Sequence, residues 1–598
     1  MAVTGPTPYA PPAAPQTAIA TKVARLWPGL VLVAIFWGFV VAIRVFDLTI
    51  AGVFLSGMAA SLLLALSFSI WWLTNRTVSL GERVFDFLAL VIGGIVAGIL
   101  SDPSNGPIGV IFMGVPMAFT AWMAWLLVSR RLSAGVRKWG LLIVLAVVWG
   151  AFIVTRVDGV DGQNQVAIAW RWSPSAEDRY LAERSRAGDK AAKPENTQDD
   201  VAPTALVLGE GDWPEFRGPN RQGEVHGVQI ATDWNEAPPK QLWRQKIGPA
   251  WSSVLIIGER LFTQEQRGEN EMVVCLDAAT GKEIWGHADA ARLSDGQAGA
   301  GPRATPTFSD GSIYSLGATG ILNCLDAATG KAKWSRNIAN DSGAPLPMWG
   351  FSSSPLVTSG VVVVYAGGPN EKGLLGYHSS SGEPAWNAAT GPMSYSSPQL
   401  ASIGGNEQVL FLSDTSLIAV DPGAGTLRWK YEAPGGAWRT VQPRQIEVNG
   451  FLIGSEDLGL TRVDVKYDEQ SWTPEKGYGS KAMRPAYNDF VVSDGFVYGF
   501  DESIFCCADV LTGKRRWKAG RYGHGQVLLL ADQPLLLVIS ETGEAVLVAT
   551  NSEKHEELGR FQAVVGKTWN HPVIAHGRFF ARNDEEIVCY ELKPLATP

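Results

Sequence analysis

Ten side chains that could bind a ligand lie in or beside short segments in the second half of the chain. Each of these segments directly precedes an apolar run that predicts a β-strand. Arg can hold a carboxylate in a bidentate manner, while aromatic and amide side chains add flat surfaces and hydrogen-bonding groups. Gathered around one opening, they predict an aromatic, net positive site for a small anionic ligand or an acidic peptide. Ordinary loop polarity is the alternative interpretation. The residues are Arg303, Trp349, Trp438, Arg439, Gln442, Arg484, His524, Trp569, Asn570 and His571.

Patterns for catalysis are missing from the sequence. It contains no Ser–His–Asp order, no His cluster with metal-ligand spacing and no phosphate loop in a supporting context. The net charge of −8, without a basic stripe, argues against a nucleic-acid partner. We therefore predict no catalytic residue and no metal site.

The five cysteines follow a repeat rather than a disulfide pattern. Four of them stand two residues before an acidic residue, at a position where other repeats carry Gly376 or Ala419. Equivalent positions on packed sheets are about 10 Å apart, whereas a disulfide needs Cα atoms within about 7 Å. We predict buried free thiols at Cys275, Cys324, Cys507 and Cys589, with the neighbours Cys506 and Cys507 on opposite faces of one strand.

Four near-copies of one turn organise the second part of the chain, at residues 277–285, 326–334, 421–429 and 509–517. Each has an Asp that can start a tight turn, a Gly suited to positive φ, and a Trp on the outgoing strand. A single hairpin cannot bury an indole, so these units must stack on one another.

The spacing of these anchors predicts the architecture. The anchor positions recur every 42 to 52 residues, which is typical of a β-propeller with one four-stranded antiparallel sheet per repeat. Eight anchors predict eight blades. Trp243 precedes any complete blade, so its strand is expected to supply the missing outer strand of the last blade and close the ring. The anchors are Trp243, Trp285, Trp334, Trp386, Trp429, Trp472, Trp517 and Phe561.

The segment from Gly320 to Trp334 resembles the pyrroloquinoline-quinone-type repeat, the blade of the quinoprotein alcohol dehydrogenase-like superfamily. The β-propeller lipoprotein of the outer-membrane assembly machinery uses the same blade without a cofactor. Residues 212–220 and 251–253 also resemble the PQQ-binding-like β-propeller proteins. The resemblance covers about residues 209–592 and implies the fold more strongly than any one function.

Two functions are compatible with the resemblance. Membrane-bound quinoprotein glucose dehydrogenases share the outline of five spans and a propeller, which implies pyrroloquinoline quinone, calcium and electron transfer to membrane quinone. The expected strand starts around the axis offer Asn570 and Gln442 but no carboxylate for calcium. We therefore expect a cofactor-free module that binds a protein of the cell envelope or a small ligand, with the dehydrogenase as the alternative.

The first part of the chain predicts a membrane anchor. Apolar segments at 26–45, 50–74, 84–100, 108–128 and 139–154 have the character of spans, the third and fifth being short. All the loops rich in basic residues fall on one side of the membrane if the N-terminus is cytoplasmic, which predicts a periplasmic propeller anchored in a bacterial inner membrane. They are Lys22, Arg25, Arg76, Arg83, Arg130, Arg131, Arg137 and Lys138.

These patterns predict four regions: a disordered tail at 1–21, a membrane region at 22–157, a linker at 158–211 and the propeller at 212–598. Within the linker, Ser173 and Pro174 predict a helix start and Gly188 its end. Residues 189–203 are expected to form a flexible tether, and 212–235 to cross the propeller before its first strand.

Overall fold

A computed structural model describes residues 26–43, 50–162, 165–186, 188, 205–436, 438–468 and 471–595. The chain divides into two compact units, Met1–Arg156 and Val157–Pro598. The predicted tail at 1–21 and the tether at 189–203 lie outside the described residues.

The first unit is helical. Four helices, counted among the described residues, are long and apolar enough to cross a membrane: 52–74, 80–100, 110–131 and 134–154. The third and fifth predicted spans are therefore long enough, while the first is an apolar helix of 17 residues. The helices are α1 (Trp27–Ile43), α2 (Ile50–Thr74), α3 (Leu80–Leu100), α4 (Gly106–Gly109), a π-helical turn (Val110–Gly114), α5 (Val115–Val128) and α6 (Ala134–Val154), with short 3₁₀ turns at Pro103–Asn105 and Ser129–Arg131.

Glycines let indoles approach the helix backbones in this unit. A Cβ on Gly114 would lie 2.5 Å from the Trp149 ring, and one on Gly140 would lie 1.9 Å from the Trp125 ring. Small residues at such positions allow close helix packing in membranes.

The second unit contains the predicted eight-bladed propeller. Each blade is a four-stranded antiparallel sheet, and the seventh gains a short parallel strand, Glu224–Val225. Blades 1 to 4 comprise Leu255–Ile257, Arg260–Arg267, Asn270–Asp277 and Glu283–Ala290; Thr307–Ser309, Ser312–Leu316, Ile321–Asp326 and Ala332–Asn337; Leu356–Thr358, Val361–Tyr365, Leu374–His378 and Pro384–Ala388; and Gln399–Ile403, Asn406–Leu412, Ser416–Val420 and Leu427–Glu432.

Blades 5 to 8 comprise Arg444–Gln445, Gly450–Ser455, Gly459–Tyr467 and Trp472–Ser480; Val491–Ser493, Phe496–Asp501, Ile504–Asp509 and Arg515–Arg521; Gln526–Leu530, Leu535–Ile539, Glu544–Ala549 and Glu557–Gln562; and Val573–Ala575, Arg578–Arg582, Glu586–Glu591 and Lys240–Lys246. The last strand named comes from the start of the propeller, and Trp243 faces Cys589 in it. The predicted closure of the ring is confirmed.

The repeated turn joins neighbouring blades at most of the junctions, although Trp429 of blade 4 donates to Gln408 of its own blade. Trp386 of blade 3 donates its indole N–H to Pro422 O in the turn of blade 4, at 3.0 Å. Its ring covers Gly425, whose φ is +69° and where a Cβ would lie 2.5 Å from the ring. The turn therefore needs Gly for two reasons, backbone conformation and contact with the preceding blade. The same indole-to-turn bond is made by Trp243, Trp285, Trp334 and Trp517.

Two of the predicted anchors are wrong. In blade 5 the anchor position belongs to Tyr478, which donates to Val510 O at 3.0 Å and covers Gly513, while Trp472 lies at the end of a longer hairpin. In blade 7 Gly559 occupies the position instead of Phe561, and Trp234 from outside the blade packs there. The prediction of eight blades is still correct because blades 5 and 7 both form the four-stranded sheet with its β-bulge.

All five cysteines are free and buried, as predicted. Cys506 belongs to the core between blades 5 and 6, and Cys507 to the core between blades 6 and 7, so the adjacent pair does point to opposite faces of its strand. Burial raises the pKa of the Cys507 thiol to about 12, and its reactivity is correspondingly low.

The segment before the propeller is a hairpin and a helix. The hairpin strands are β1 (Thr155–Val160) and β2 (Val166–Trp170), and the helix is α7 (Ala176–Arg186). The helix starts two residues later than predicted because Ser175 and Asp178 cap it reciprocally. It docks on blade 1, where Tyr180 Oη donates to Glu265 at 2.9 Å.

Residues 212–223 cross the inner strands as a strap. The Arg221 guanidinium donates to Ser354 O, Pro355 O and Pro398 O and so holds the starts of blades 3 and 4. Arg217 donates to Phe490 O of blade 6 at 2.7 Å. Both arginines have positive φ, a costly conformation that these many bonds hold in place.

Candidate functional site

A cavity of about 190 Å³ lies where the eight blades meet. Every blade contributes a lining residue from the segment just before or at the start of its innermost strand, and Phe216 of the strap lines it too. We call this the hub cavity. Its volume is below the range typical of drug-sized ligands, so it suits one ring or one side chain. Its lining residues are Phe216, Trp251, Gln297, Ala298, Arg303, Trp349, Ser352, Ser354, Tyr395, Ser397, Thr440, Gln442, Tyr487, Asp489, Gln526, Trp569 and His571.

Hydrogen bonds between neighbouring blades form the wall of the hub. In blades 1 to 5, the residue two positions before the innermost strand donates its backbone N–H to the side chain at the same position of the next blade. The distances are 2.8 to 3.0 Å, and the acceptors are Thr305, Ser354, Ser397, Gln442 and Asp489. These polar residues therefore have a structural role in addition to lining the cavity.

Histidines take over this position in blades 7 and 8. His571 is buried, and its Nε2 is among the buried side-chain atoms that have no hydrogen-bond partner in the described part of the chain. Burial and the nearby Arg217 lower the pKa of His571 to about 3, so the ring is neutral at physiological pH. Since Nδ1 faces Pro572 O at 3.4 Å, the tautomer with a proton on Nδ1 leaves Nε2 as an acceptor.

Two groups of aromatic rings line the hub cavity. Trp569 lies between Trp251, at a centroid distance of 5.0 Å, and Tyr487, at 5.4 Å. Across the cavity Trp349 packs against Tyr395 at 5.1 Å. All five rings are partly exposed, so their faces can receive a flat or apolar group.

Lys567 and the β1–β2 turn lie beside the aromatic rings around Trp569, and we call this side of the hub cavity its rim. Lys567 Nζ lies 4.5 Å from the Trp569 ring centroid and donates to Val160 O at 3.1 Å. Gly162 donates its N–H to Glu541 at 2.6 Å, and a Cβ there would lie 2.0 Å from the His524 ring. The turn therefore sits directly against the rim, and burial lowers the pKa of Lys567.

Five of the ten predicted site residues line the hub cavity: Arg303, Trp349, Gln442, Trp569 and His571. Trp438 packs on Trp349 at 4.7 Å without lining the cavity. His524 is buried beside Tyr487, and Asn570 donates to Ala250 O and Ser252 O. For all ten residues, contact with a ligand remains a prediction.

Carboxylates partner the arginines of the predicted site. Arg303 pairs with Asp295 at 2.7 Å, Arg439 with Asp457 at 2.6 Å and Arg484 with Asp501 at 2.8 Å. Arg439 and Arg484 do not line the hub cavity. The positive charge expected from the sequence is therefore largely balanced by these carboxylates.

Sequence reasoning missed Asp489, Tyr487 and Phe216. A Pro follows the polar residues at most strand starts, and this pattern predicts the start of blade 6 at Met483–Pro485, whereas its innermost strand begins at Val491. Aligned on that strand, Tyr487 and Asp489 take the positions of Tyr395 and Ser397 in blade 4. Burial raises the pKa of the Asp489 carboxyl and lowers that of the Arg217 guanidinium, which lies 3.6 Å away.

The hub does contain acids, contrary to the expectation from the strand starts, but each has its own partners. Asp489 accepts from Gln442 N–H beside Arg217, Asp295 pairs with Arg303, and Glu541 accepts from Gly162, His524 and Trp569. Calcium needs six to eight oxygen ligands. No group of three or more His, Cys, Asp or Glu side chains is placed to hold a metal within the described ranges. The donor set therefore does not fit pyrroloquinoline quinone bound through calcium.

The propeller region is similar to known proteins. Residues 269–519 match the family model described as outer membrane protein assembly factor BamB. A search of the curated proteins gave no match. Among solved structures, BamB from Moraxella catarrhalis is 14% identical with a TM-score of 0.45, covering 60% of this chain and 99% of its own.

Two quinohemoprotein alcohol dehydrogenases are similarly distant. ADHIIG from Pseudomonas putida HK5 is 15% identical with a TM-score of 0.49, covering 66% of this chain and 84% of its own. The enzyme from Comamonas testosteroni is 13% identical with a TM-score of 0.46, covering 71% and 85%. The match to the assembly-factor model therefore covers less than half of this chain, within the propeller.

Proposed function

We propose that this chain is a membrane-anchored binding module of the bacterial cell envelope, with the hub cavity as its ligand site. The observation that carries the proposal is a cavity lined by all eight blades, which combines aromatic rings with the unpartnered Nε2 of His571. The occupant brings a flat or apolar group to the rings and a hydrogen-bond donor to His571. A side chain of a protein partner and a small ligand both have this chemistry.

The anchoring part of the proposal rests on the apolar helices. Four of them have the length and composition of spans, and α1 would be the fifth. The basic loops at 75–79 and 129–138 alternate with a loop at 101–107 that has no Lys or Arg. By the positive-inside tendency, the N-terminus is cytoplasmic and the propeller periplasmic in the inner membrane.

Site-specific photo-crosslinking in intact cells tests the binding site. A photo-reactive residue is placed at Trp349, which lines the cavity, and in a control chain at Val448, which is 70% exposed on blade 5. We expect a defined adduct from position 349 that is absent from position 448 and is lost when Trp569→Ala is added. Equal yields from 349 and 448 would reject the hub cavity as the binding site.

The dehydrogenase alternative has its own test. The purified full chain in lipid nanodiscs is titrated with pyrroloquinoline quinone and Ca²⁺ while oxidation of sugars and alcohols is followed with a dye acceptor. We expect neither saturable binding nor turnover, because the hub acids are already partnered. Saturable binding with turnover would assign the chain to the quinoprotein dehydrogenases instead.

A further inference from the structure

We propose that the β1–β2 hairpin is an interfacial anchor, with Ile168, Trp170 and Trp172 inserted into the headgroup region of the lipid bilayer. The proposal rests on the membrane anchoring proposed above. It adds a second membrane contact, made by the unit that contains the propeller.

The three side chains form an exposed apolar patch. Ile168 is 67% exposed, Trp170 55% and Trp172 70%, and the two indole rings stack at 5.3 Å with an interplanar angle of 9°. Ile168 and Trp170 are two residues apart in β2 and therefore lie on the same face of the strand. Two stacked indoles beside an exposed Ile are unusual on a surface that meets only water.

The position of the patch in the chain identifies the bilayer as its occupant. The last apolar helix, α6, ends at Val154, and β1 begins at the next residue, Thr155. The backbone of Asp161 donates to Gln165 O at 3.0 Å, which closes the turn and sends β2 back toward the start of β1. Trp170 at the end of β2 is thereby returned to the end of the hairpin where the chain leaves α6.

Tryptophan is enriched in the headgroup region of membranes because its ring combines an apolar body with an indole N–H that remains hydrated. The other end of the hairpin is fixed at the rim of the hub cavity by the bonds of Gly162 and Val160 to Glu541 and Lys567. One hairpin therefore carries a lipid contact at its base and a contact with the binding site at its turn.

Lipid quenching of a fluorescent label tests the proposal in the full chain. The five natural cysteines are at most 1% exposed, so an added cysteine is labelled selectively. Bimane is attached to Ile168→Cys, which keeps both indoles, and the chain is placed in nanodiscs of phosphatidylcholine with or without bromine near the headgroups. Leu511→Cys, 65% exposed in a turn of blade 6, is the matched soluble control, and Ile99→Cys, 74% exposed on α3, is the bilayer control.

We expect brominated lipid to lower the fluorescence about twofold at position 168 and at position 99, with no change at position 511. Adding Trp170→Ser and Trp172→Ser should abolish the quenching at 168, whereas Trp170→Phe and Trp172→Phe should retain part of it. Quenching at 99 without quenching at 168 would overturn the hairpin anchor and leave the membrane anchor intact. Absence of quenching at 99 would overturn both.

Discussion

The outer edge of the propeller and its hub use the same side chain, tryptophan, in opposite ways. At the edge, Trp386 is 8% exposed, with its N–H bonded to the next blade and its face covered by Gly425. In the hub, Trp349 and Trp569 are partly exposed, and they line a cavity. The difference shows that the repeated tryptophans hold the ring together, while Trp349 and Trp569, outside the repeat, keep part of their ring surface exposed.

Removing an edge indole should cost the most stability. Trp386→Ala removes a buried ring and the bond to Pro422 O, so we expect the free energy of unfolding to fall by about 3–5 kcal/mol. Thermal unfolding followed by near-UV circular dichroism measures the loss. Trp349→Ala is the matched change in the hub and should cost less than about 1 kcal/mol. Equal losses would remove the distinction between edge and hub.

The glycine beneath the edge indole should be nearly as sensitive. Gly425→Ala adds a Cβ 2.5 Å from Trp386 at a φ of +69°, and we expect a loss of about 2 kcal/mol or more. Gly577→Ala is the control because its φ is also +69° but no atom lies within 4 Å of the added Cβ. It should lose only about 1 kcal/mol from the backbone conformation. The same thermal scan compares them, and identical losses would mean that the indole contact is unimportant.

The buried histidine of the hub should give a smaller, pH-dependent effect. Its pKa is about 3 in the folded chain and near 6.5 when unfolded, so the unfolded state takes up a proton first as the pH falls. Its contribution to stability is therefore present above pH 6.5 and declines below it by up to about 1.4 kcal/mol per pH unit.

His571→Gln should flatten this decline between pH 7 and pH 5, as measured by the denaturant midpoint. His226→Gln, at a side chain that is 66% exposed, is the control for removing a histidine from the surface. A decline that persists in full in the His571 variant would contradict the buried, neutral ring.

The local parts of this fold could be predicted from the sequence, and the long-range parts could not. The turn repeats at 277–285 and 326–334 act within one hairpin and its neighbour, so their spacing was enough to predict eight blades and the closure through Trp243. The anchor positions at Tyr478 and Gly559 could not be recognised from the sequence because neither has a Trp. The hub combines residues from eight blades with a strap, and the contact between Arg217 and Phe490 joins positions 273 residues apart.

Crosslinking from inside the hub cavity tests most directly whether this cavity is the ligand-binding site. A photo-reactive residue at Tyr395, which lines the cavity opposite Trp569, is compared in cells between the natural chain and the Trp569→Ala variant. We predict one adduct in the natural chain and a yield at least about tenfold lower in the variant, as expected for the loss of an aromatic contact at the centre of a site. No adduct in the natural chain, or the same yield in both chains, would contradict the claim.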